Sequence, residues 1–205
     1  MGRPVDQEKR RAVLEAASAA FVQRGYEATS IDVIADSAGV ARRTVYHQFG
    51  SKEGLFAAVV ETLWGGLRFD EPGVGDTAPA ARDVVLNLAT TVASYWRDPA
   101  ARGFLRFAII EGARAPGLRD SFFRKGKQPT FKAMAHRLAA LSKSGHLSPA
   151  VERDPELAAH QLIGLVNEPL LWPQLLGAPE PGDEDYERAI AGAVEMFMAR
   201  YGMDL

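Results

Sequence analysis

Arg42, Arg43, Thr44, Tyr46 and His47 fall within one short segment, with Lys52 just beyond, and no acidic residue lies between Val40 and Lys52. The chemistry this run suits is contact with a polyanion. Lysine and arginine displace counterions from a phosphate backbone, an arginine fork matches a guanine edge, and hydroxyls and helix N-termini hold phosphate oxygens. The charge is local, because the 205-residue chain has a formal net charge of -2 and a nucleic-acid footprint is a patch, not a total. The alternative for the same residues is a small helical hairpin whose basic face is merely solvated.

Other chemistries have less to stand on. The chain has no cysteine, which removes disulfides, thiolate zinc sites, iron–sulfur clusters and thiol nucleophiles together. His47, His136, His146 and His160 show neither the i, i+4 pairing nor the nearby carboxylates of a helix-borne metal site. No Gly-x-Ser-x-Gly elbow, P-loop or Gly-x-Gly-x-x-Gly run occurs. Glu111 and Arg114, spaced i, i+3, read as a helix-surface ion pair before they read as catalytic. The expectation is a protein that is not an enzyme and holds no metal or cofactor.

Helices must position the basic segment. Residues 6–24 place Val13, Ala17, Ala20 and Phe21 on one stripe, and Gly25 supplies a left-handed C-cap. Thr29 and Ser30 both suit an N-cap, Asp32 lies close to capping-box spacing, and Ile31, Ile34, Ala35 and Ala38 continue at helical intervals. Ala38-Gly39-Val40 interrupts, and a third helix near 41–48 turns Val45 and Phe49 inward and the basic residues outward. Two short helices joined by a glycine-containing turn form a helix-turn-helix, whose second helix can enter a major groove. Ser51 caps a fourth helix with Leu55, Val59 and Leu63 on one face.

From Gly65 to Ala81 the chain reads as a loop, rich in turn residues over Asp70–Asp76. Helices then run from near Pro79 to Arg97, from Asp98-Pro99 to about 114, and over 118–143 with a bend near Pro129. Two more run from Asp154-Pro155 to Leu176, kinked by Pro169 and Pro173, and from Asp183 to Tyr201. No period-two strand pattern and no repeat appears. The expected fold is all-α with about nine helices: a three-helix helix-turn-helix domain over residues 1–50 and a helical bundle over 51–205. Hydrophobic content of 47% and charged content of 24% suit a soluble globular chain. No segment reaches the roughly 20 apolar residues of a membrane span, and the N-terminus lacks the apolar core of a signal peptide. The expected location is cytoplasmic.

Residues 9–56 resemble the DNA-binding domain of TetR-family transcriptional regulators. The resemblance rests on Ala16-Ala17, Phe21, Gly25-Tyr26, Thr29-Ser30-Ile31, Ile34-Ala35, Ala38-Gly39-Val40, Thr44-Val45-Tyr46, Phe49 and Lys52-Glu53-Gly54-Leu55-Phe56, in that order and spacing. It implies that the third helix reads DNA, with contacts from Arg42, Arg43, Thr44, Tyr46 and His47. It implies phosphate contacts for Thr29, Ser30 and Lys52. Arg42-Arg43 departs from the family's pattern, in which small residues and glycine are frequent there. Glu111–Phe122 and Asp154–Ala159 are similar to a C-terminal domain of TetR-type repressors, which implies an effector-binding bundle that dimerises.

Aromatic residues of that bundle are either packed core or the lining of an effector pocket. The pocket candidates are Trp64, Trp96, Phe104, Phe107, Phe131 and Trp172, with His136 and Asn167 to orient a ligand. Residues 157–171 are apolar on more than one face, which a partner chain would explain. Gly164, Leu165, Ala191, Val194 and Met198 are the interface candidates. The function these features imply is a homodimeric DNA-binding regulator, a repressor that a small apolar ligand releases from an inverted-repeat operator on double-stranded DNA. The rival is a helical small-molecule-binding or catalytic module that has lost DNA binding.

Overall fold

A computed structural model describes residues 4–67, 69 and 80–203. Most of the loop expected over 65–81, with Asp70–Asp76 and Pro79, lies outside the described residues, as do Met1, Gly2 and Arg3. The described chain is helical. Its elements are α1 (Pro4–Arg24), α2 (Ile31–Ser37), α3 (Arg42–Phe49), α4 (Lys52–Trp64), α5 (Ala81–Tyr95) and α6 (Pro99–Arg114). There follow α7 (Pro116–Phe122), a π-helical turn (Phe123–Lys127), α8 (Gln128–Lys143), α9 (Pro149–Arg153), α10 (Pro155–Leu170), α11 (Trp172–Leu175) and α12 (Asp183–Tyr201). Among the described residues the only β pairing is an isolated bridge between Leu147 and Gly202.

The all-α expectation holds, with three local differences. The helix expected over 118–143 is divided by the π-turn. Pro129 has no N–H to donate four residues back and its ring crowds that carbonyl, so the chain widens just before it, at Phe123–Lys127. The helix expected from Asp154 to Leu176 is likewise α10 and α11, with Pro169 inside the first and Pro173 in the second. The third difference is α9, which Ser148 caps on the N–H of Ala150, with Pro149 in its first turn. Ser148-Pro149 is the same cap-plus-proline signal as Asp154-Pro155, but it opens only a single turn.

The chain packs as two compact units. One holds the described residues up to Gly66 together with Gly103–Lys127, and the other holds Leu67–Arg102 and Gln128–Leu205.

In the first unit, Val13, Ala17 and Phe21 of α1 are fully buried, as their spacing requires. Phe21 lies 5.9 Å from Phe56 of α4 and 6.2 Å from Phe107 of α6, ring centre to ring centre. Tyr26 and Phe104 close on Phe56 at 5.7 and 5.8 Å. Phe104 and Phe107, expected to border a pocket, are therefore core residues beneath the helix-turn-helix. Their i, i+3 spacing on α6 gives one apolar face, and that face is filled by rings. At the far end of α4, Trp64 is buried against Phe122 at 5.4 Å, and Gly126 of the π-turn lies so close to the indole that a Cβ there would overlap it. Trp64 also belongs to core.

In the second unit, α10 packs against α5, α8 and α12. It buries Ala158, Ala159, Leu162, Ile163, Val166 and Leu170, against Leu88, Met134, Leu138 and Phe197, which are buried on those neighbours. Of the eight apolar residues expected to be too many for one core, six are buried in it, while Leu157 is half exposed and Leu165 half-buried.

The joint between α3 and α4 is tight. Ser51 accepts from the N–H of Gly54 at 3.1 Å, and a Cβ on Gly54 would collide with the carbonyl oxygen of Phe49. Gly54→Ala should therefore lower unfolding stability by about 1–3 kcal/mol, measured by urea titration, although alanine is the better helix former.

Candidate nucleic-acid interface

The basic segment depends on a short chain of backbone decisions. Gly25 adopts φ 82° and ends α1, and Gly39 adopts φ 65° in the turn between α2 and α3. Side chains with a Cβ rarely take this left-handed conformation. The N–H of Val40 then reaches back to the carbonyl of Ala35 at 3.0 Å. Ile34, Ala35 and Val45 are buried and seat α2 and α3. Gln48 of α3 donates to Asp6 of α1 at 3.0 Å, and the Arg10 guanidinium stands 4.6 Å from the Phe49 ring centre. With its inner face held, α3 leaves Arg42, Arg43, Tyr46 and His47 exposed and Thr44 half-buried. Ala41 caps α3 without a side-chain hydrogen bond, so the positive end of the helix and its unpaired N–H groups face outward.

Thr29 and Ser30 separate. Ser30 is the N-cap of α2 and accepts from the N–H of Val33 at 3.3 Å. Thr29 is buried, and its hydroxyl lies 2.8 Å from the Gly25 carbonyl and 3.1 Å from the Ala20 carbonyl. Its single proton is engaged inside the fold, so the side chain is not presented to a phosphate. A threonine and a serine side by side carry the same capping signal, and only the inward turn of one distinguishes them.

Lys52, the first residue of α4, is half-buried and held from two sides. Its ammonium lies 4.2 Å above the Tyr26 ring centre and donates to the Glu27 carbonyl at 3.3 Å. Burial, followed by the neighbouring Glu53 carboxylate, pushes the Tyr26 hydroxyl well above the usual tyrosine range. The Glu53 carboxyl is lowered, first by a hydrogen bond from its own backbone N–H and then by the Ser51 hydroxyl. Asp32 is the other residue that sequence reasoning missed. Its carboxylate accepts from Arg42 Nη1 at 2.9 Å. No spacing rule links residues ten apart across a turn. Tyr26 carried a signal only through its place in the Gly25-Tyr26 pair.

The remaining candidates lie elsewhere. Trp96 is buried in the second unit, Phe131 is half-buried with its ring centre 4.4 Å from that of His160, His136 is exposed and Trp172 is 49% exposed. Asn167 is half-buried, with Oδ1 enclosed and without a hydrogen-bond partner. An open groove of about 710 Å³ runs between α10 and α12 and includes Gly164, Leu165, Glu168, Gly192, Met196 and Arg200. None of the pocket candidates lines it. Of the interface candidates, Gly164 and Leu165 do, Ala191 is exposed and Met198 half-buried. Val194 is 2% exposed and belongs to the unit's own core. Its stripe on α12 faces inward. Glu111 and Arg114 form the expected ion pair at 3.6 Å. Among the described residues no three histidine, aspartate or glutamate side chains gather to hold a metal ion.

Two family models cover most of this architecture. Residues 13–59 match the model for bacterial regulatory proteins of the tetR family, and residues 83–203 match the C-terminal domain of AefR-like transcriptional repressors. The transcriptional activator FasR of Mycolicibacterium smegmatis is 46% identical over 65 residues, 30% of this chain and 30% of that protein. The chain covers less than half the length of the curated relatives it matches. Solved structures match over nearly the whole chain. A TetR family transcriptional regulator from Pseudomonas syringae pv. tomato is 28% identical with a TM-score of 0.76, covering 96% of this chain and 98% of that one. The flavonoid-responsive regulator FrrA is also 28% identical with a TM-score of 0.76, over 97% of this chain and 100% of that one.

The inward turn of Thr29 has a measurable consequence. Thr29→Val keeps the shape but removes a buried hydroxyl donor shared by the Gly25 and Ala20 carbonyls, so stability should fall by about 1–3 kcal/mol, read by urea titration. The salt dependence of DNA binding should be unchanged, because no phosphate contact is lost.

Proposed function

The chain belongs to the TetR family of transcriptional regulators, and from that premise we propose that it is a cytoplasmic, homodimeric repressor that binds an inverted-repeat operator and lets go when a small, mainly apolar molecule binds. The observation that carries the DNA-binding part is the exposed, acid-free face of α3, which presents Arg42, Arg43, Tyr46 and His47 beside an uncapped helix N-terminus. Ser30 and Lys52 flank that face as phosphate contacts, and Thr44 borders it. A module that had lost DNA binding would have no use for such a surface. Repression is favoured over activation by the C-terminal match to AefR-like repressors.

The division of labour follows residues 1–50 for DNA and 51–205 for effector and partner. Within the second unit Trp96, Phe131, His136, Asn167 and Trp172 remain the effector candidates. The enclosed and unpartnered Oδ1 of Asn167 supports a polar anchor for a ligand donor. A small-molecule effector also accords with the flavonoid-responsive neighbour. Signal passes through α4, which carries Lys52 at one end and packs Trp64 on the π-turn at the other. Only a ligand that favours one of two arrangements of α4 can move the equilibrium.

A second copy seats on the groove between α10 and α12. Leu165 and Met196 offer apolar surface there, with Glu168, Arg188 and Arg200 around it. No atom lies within 4 Å of a Cβ placed on Gly164 or Gly192, so the small residues leave room for a partner and not for their own fold. A two-fold axis makes this interface self-complementary, and an inverted-repeat operator asks for two α3 helices about 34–36 Å apart, one turn of DNA.

Two experiments follow. In electrophoretic shifts with the gene's upstream region, the Arg42→Ala, Arg43→Ala double variant should lose at least about 1–3 kcal/mol of binding. In the same assay Lys52→Ala should weaken all duplexes alike and lower the salt slope by about one ion. Unchanged affinity in the double variant would refute the assignment. Separately, Gly164→Glu is accommodated within a single chain, so it should split the dimer in sedimentation velocity and abolish tight operator binding without lowering the melting temperature of the helix-turn-helix. A wild-type monomer at micromolar concentration would contradict the arrangement.

A further inference from the structure

The two arginines that open α3 are held differently. Arg42 Nη1 donates to Asp32 at 2.9 Å, Nη2 reaches the Tyr46 hydroxyl at 3.5 Å, and the guanidinium carbon lies 5.4 Å from the Tyr46 ring centre. Arg43, its neighbour, is exposed and has no such partner among the described residues. Asp32 is itself placed as the second residue of α2, within the first turn after the Ser30 cap. Arg42 and Asp32 are nevertheless open to an incoming surface, with side chains 59% and 55% exposed.

Holding an arginine in this way suits one task better than another. A phosphate needs only charge within reach, tolerates a swinging side chain, and gains least from a cation whose charge is already offset by a carboxylate. A guanine edge presents two acceptors, N7 and O6, and requires two N–H groups of one guanidinium aimed at them in parallel. Arginine has five N–H donors. Asp32 and Tyr46 engage two and restrain the plane, and three remain on a side chain still open to solvent. Arg42 is also the first residue of the helix, and the N-terminal residues of a recognition helix are those that approach base edges. Asp32, set beside a phosphate-binding face, would repel the duplex to no purpose unless it oriented such a reader.

Building on the DNA-binding reading above, we propose that Arg42 reads one guanine in each operator half-site, that Asp32 is its positioning residue, and that Arg43 contacts phosphate. The partner is thereby narrowed to duplex DNA with a guanine at one fixed place in each arm.

The test uses the full chain and a pool of duplexes with a randomised core. Selected duplexes should share one guanine per half-site, and replacing it should lower wild-type affinity by about 10- to 100-fold. Arg42→Ala should flatten the preference at that position and at no other. Asp32→Asn, of the same size, should lose several-fold discrimination at that position while overall binding to other sequences holds or tightens. Arg43→Ala should keep every base preference and lower the salt slope by about one. Circular dichroism melts, expected to match wild type, keep folding out of the comparison. The proposal is overturned if Arg42→Ala leaves base preference intact and lowers only the salt slope, or if Asp32→Asn tightens all duplexes equally with discrimination unchanged. Failure to recover any duplex from the pool would overturn the DNA-binding reading as well. Recovery with no guanine signal would overturn this inference alone.

Discussion

The structure of the first unit depends on five aromatic rings. Helices α2 and α3 have 7 and 8 residues, too short to persist in water by themselves, and they must be seated on something larger. Phe21, Tyr26, Phe56, Phe104 and Phe107 provide that seat, with centre-to-centre separations between 5.4 and 6.2 Å in tilted, edge-on and stacked pairs. Each fully buried phenylalanine contributes about 1.5–3 kcal/mol by leaving water, and ring pairs add geometric preference. Tyr26 gives the cluster a second use. One side of its ring packs against Phe21 and Phe56, and the ring also holds the ammonium of Lys52. Core and charged surface therefore meet at a single residue.

The polar face on this seat is organised with equal economy of partners. The Thr29 hydroxyl is engaged by carbonyls below the surface, Ser30 holds one N–H above it, and Ser51 caps the first turn of α4. The local backbone is thus tied before any ligand arrives, and a pre-ordered surface loses less entropy on binding than a loose one. The acidic residues nearby do not contradict a role with phosphate. Asp32 is paired with Arg42, and the Glu53 carboxyl is lowered first by its own backbone N–H.

Sequence reasoning reached the helices, their caps and the outward face of α3 because these depend on local spacing. Gly25, Ser51 and the prolines after Asp98 and Asp154 act within a few residues of themselves. What it missed depends on contacts distant in sequence. Phe104 and Phe107 look alike as pocket or core until Phe56, roughly fifty residues earlier, is seen against them. Val194 shares its stripe with residues that could face a partner, and only the packing of α12 against α5 and α10 turns it inward. Thr29 and Ser30 present the same hydroxyl chemistry and differ in which way one rotamer points. A bend was foreseen near Pro129, but not the widened turn, in which Gly126 lies against the Trp64 indole from roughly sixty residues earlier. The division into packed units escaped for the same reason. Residues 103–127 complete a core begun by the first fifty, and no local signal announces that.

The central claim is that residues 30–52, carried on an aromatic core, form the surface that meets DNA. Hydrogen–deuterium exchange of the full chain, with and without a duplex recovered from a randomised pool, measures this most directly. The account predicts new protection over 30–33 and 41–52, while amides of α1 and α6 beside the buried rings are slow in both states. Protection centred on α10 and α12, with 41–52 exchanging equally fast in both states, would contradict it.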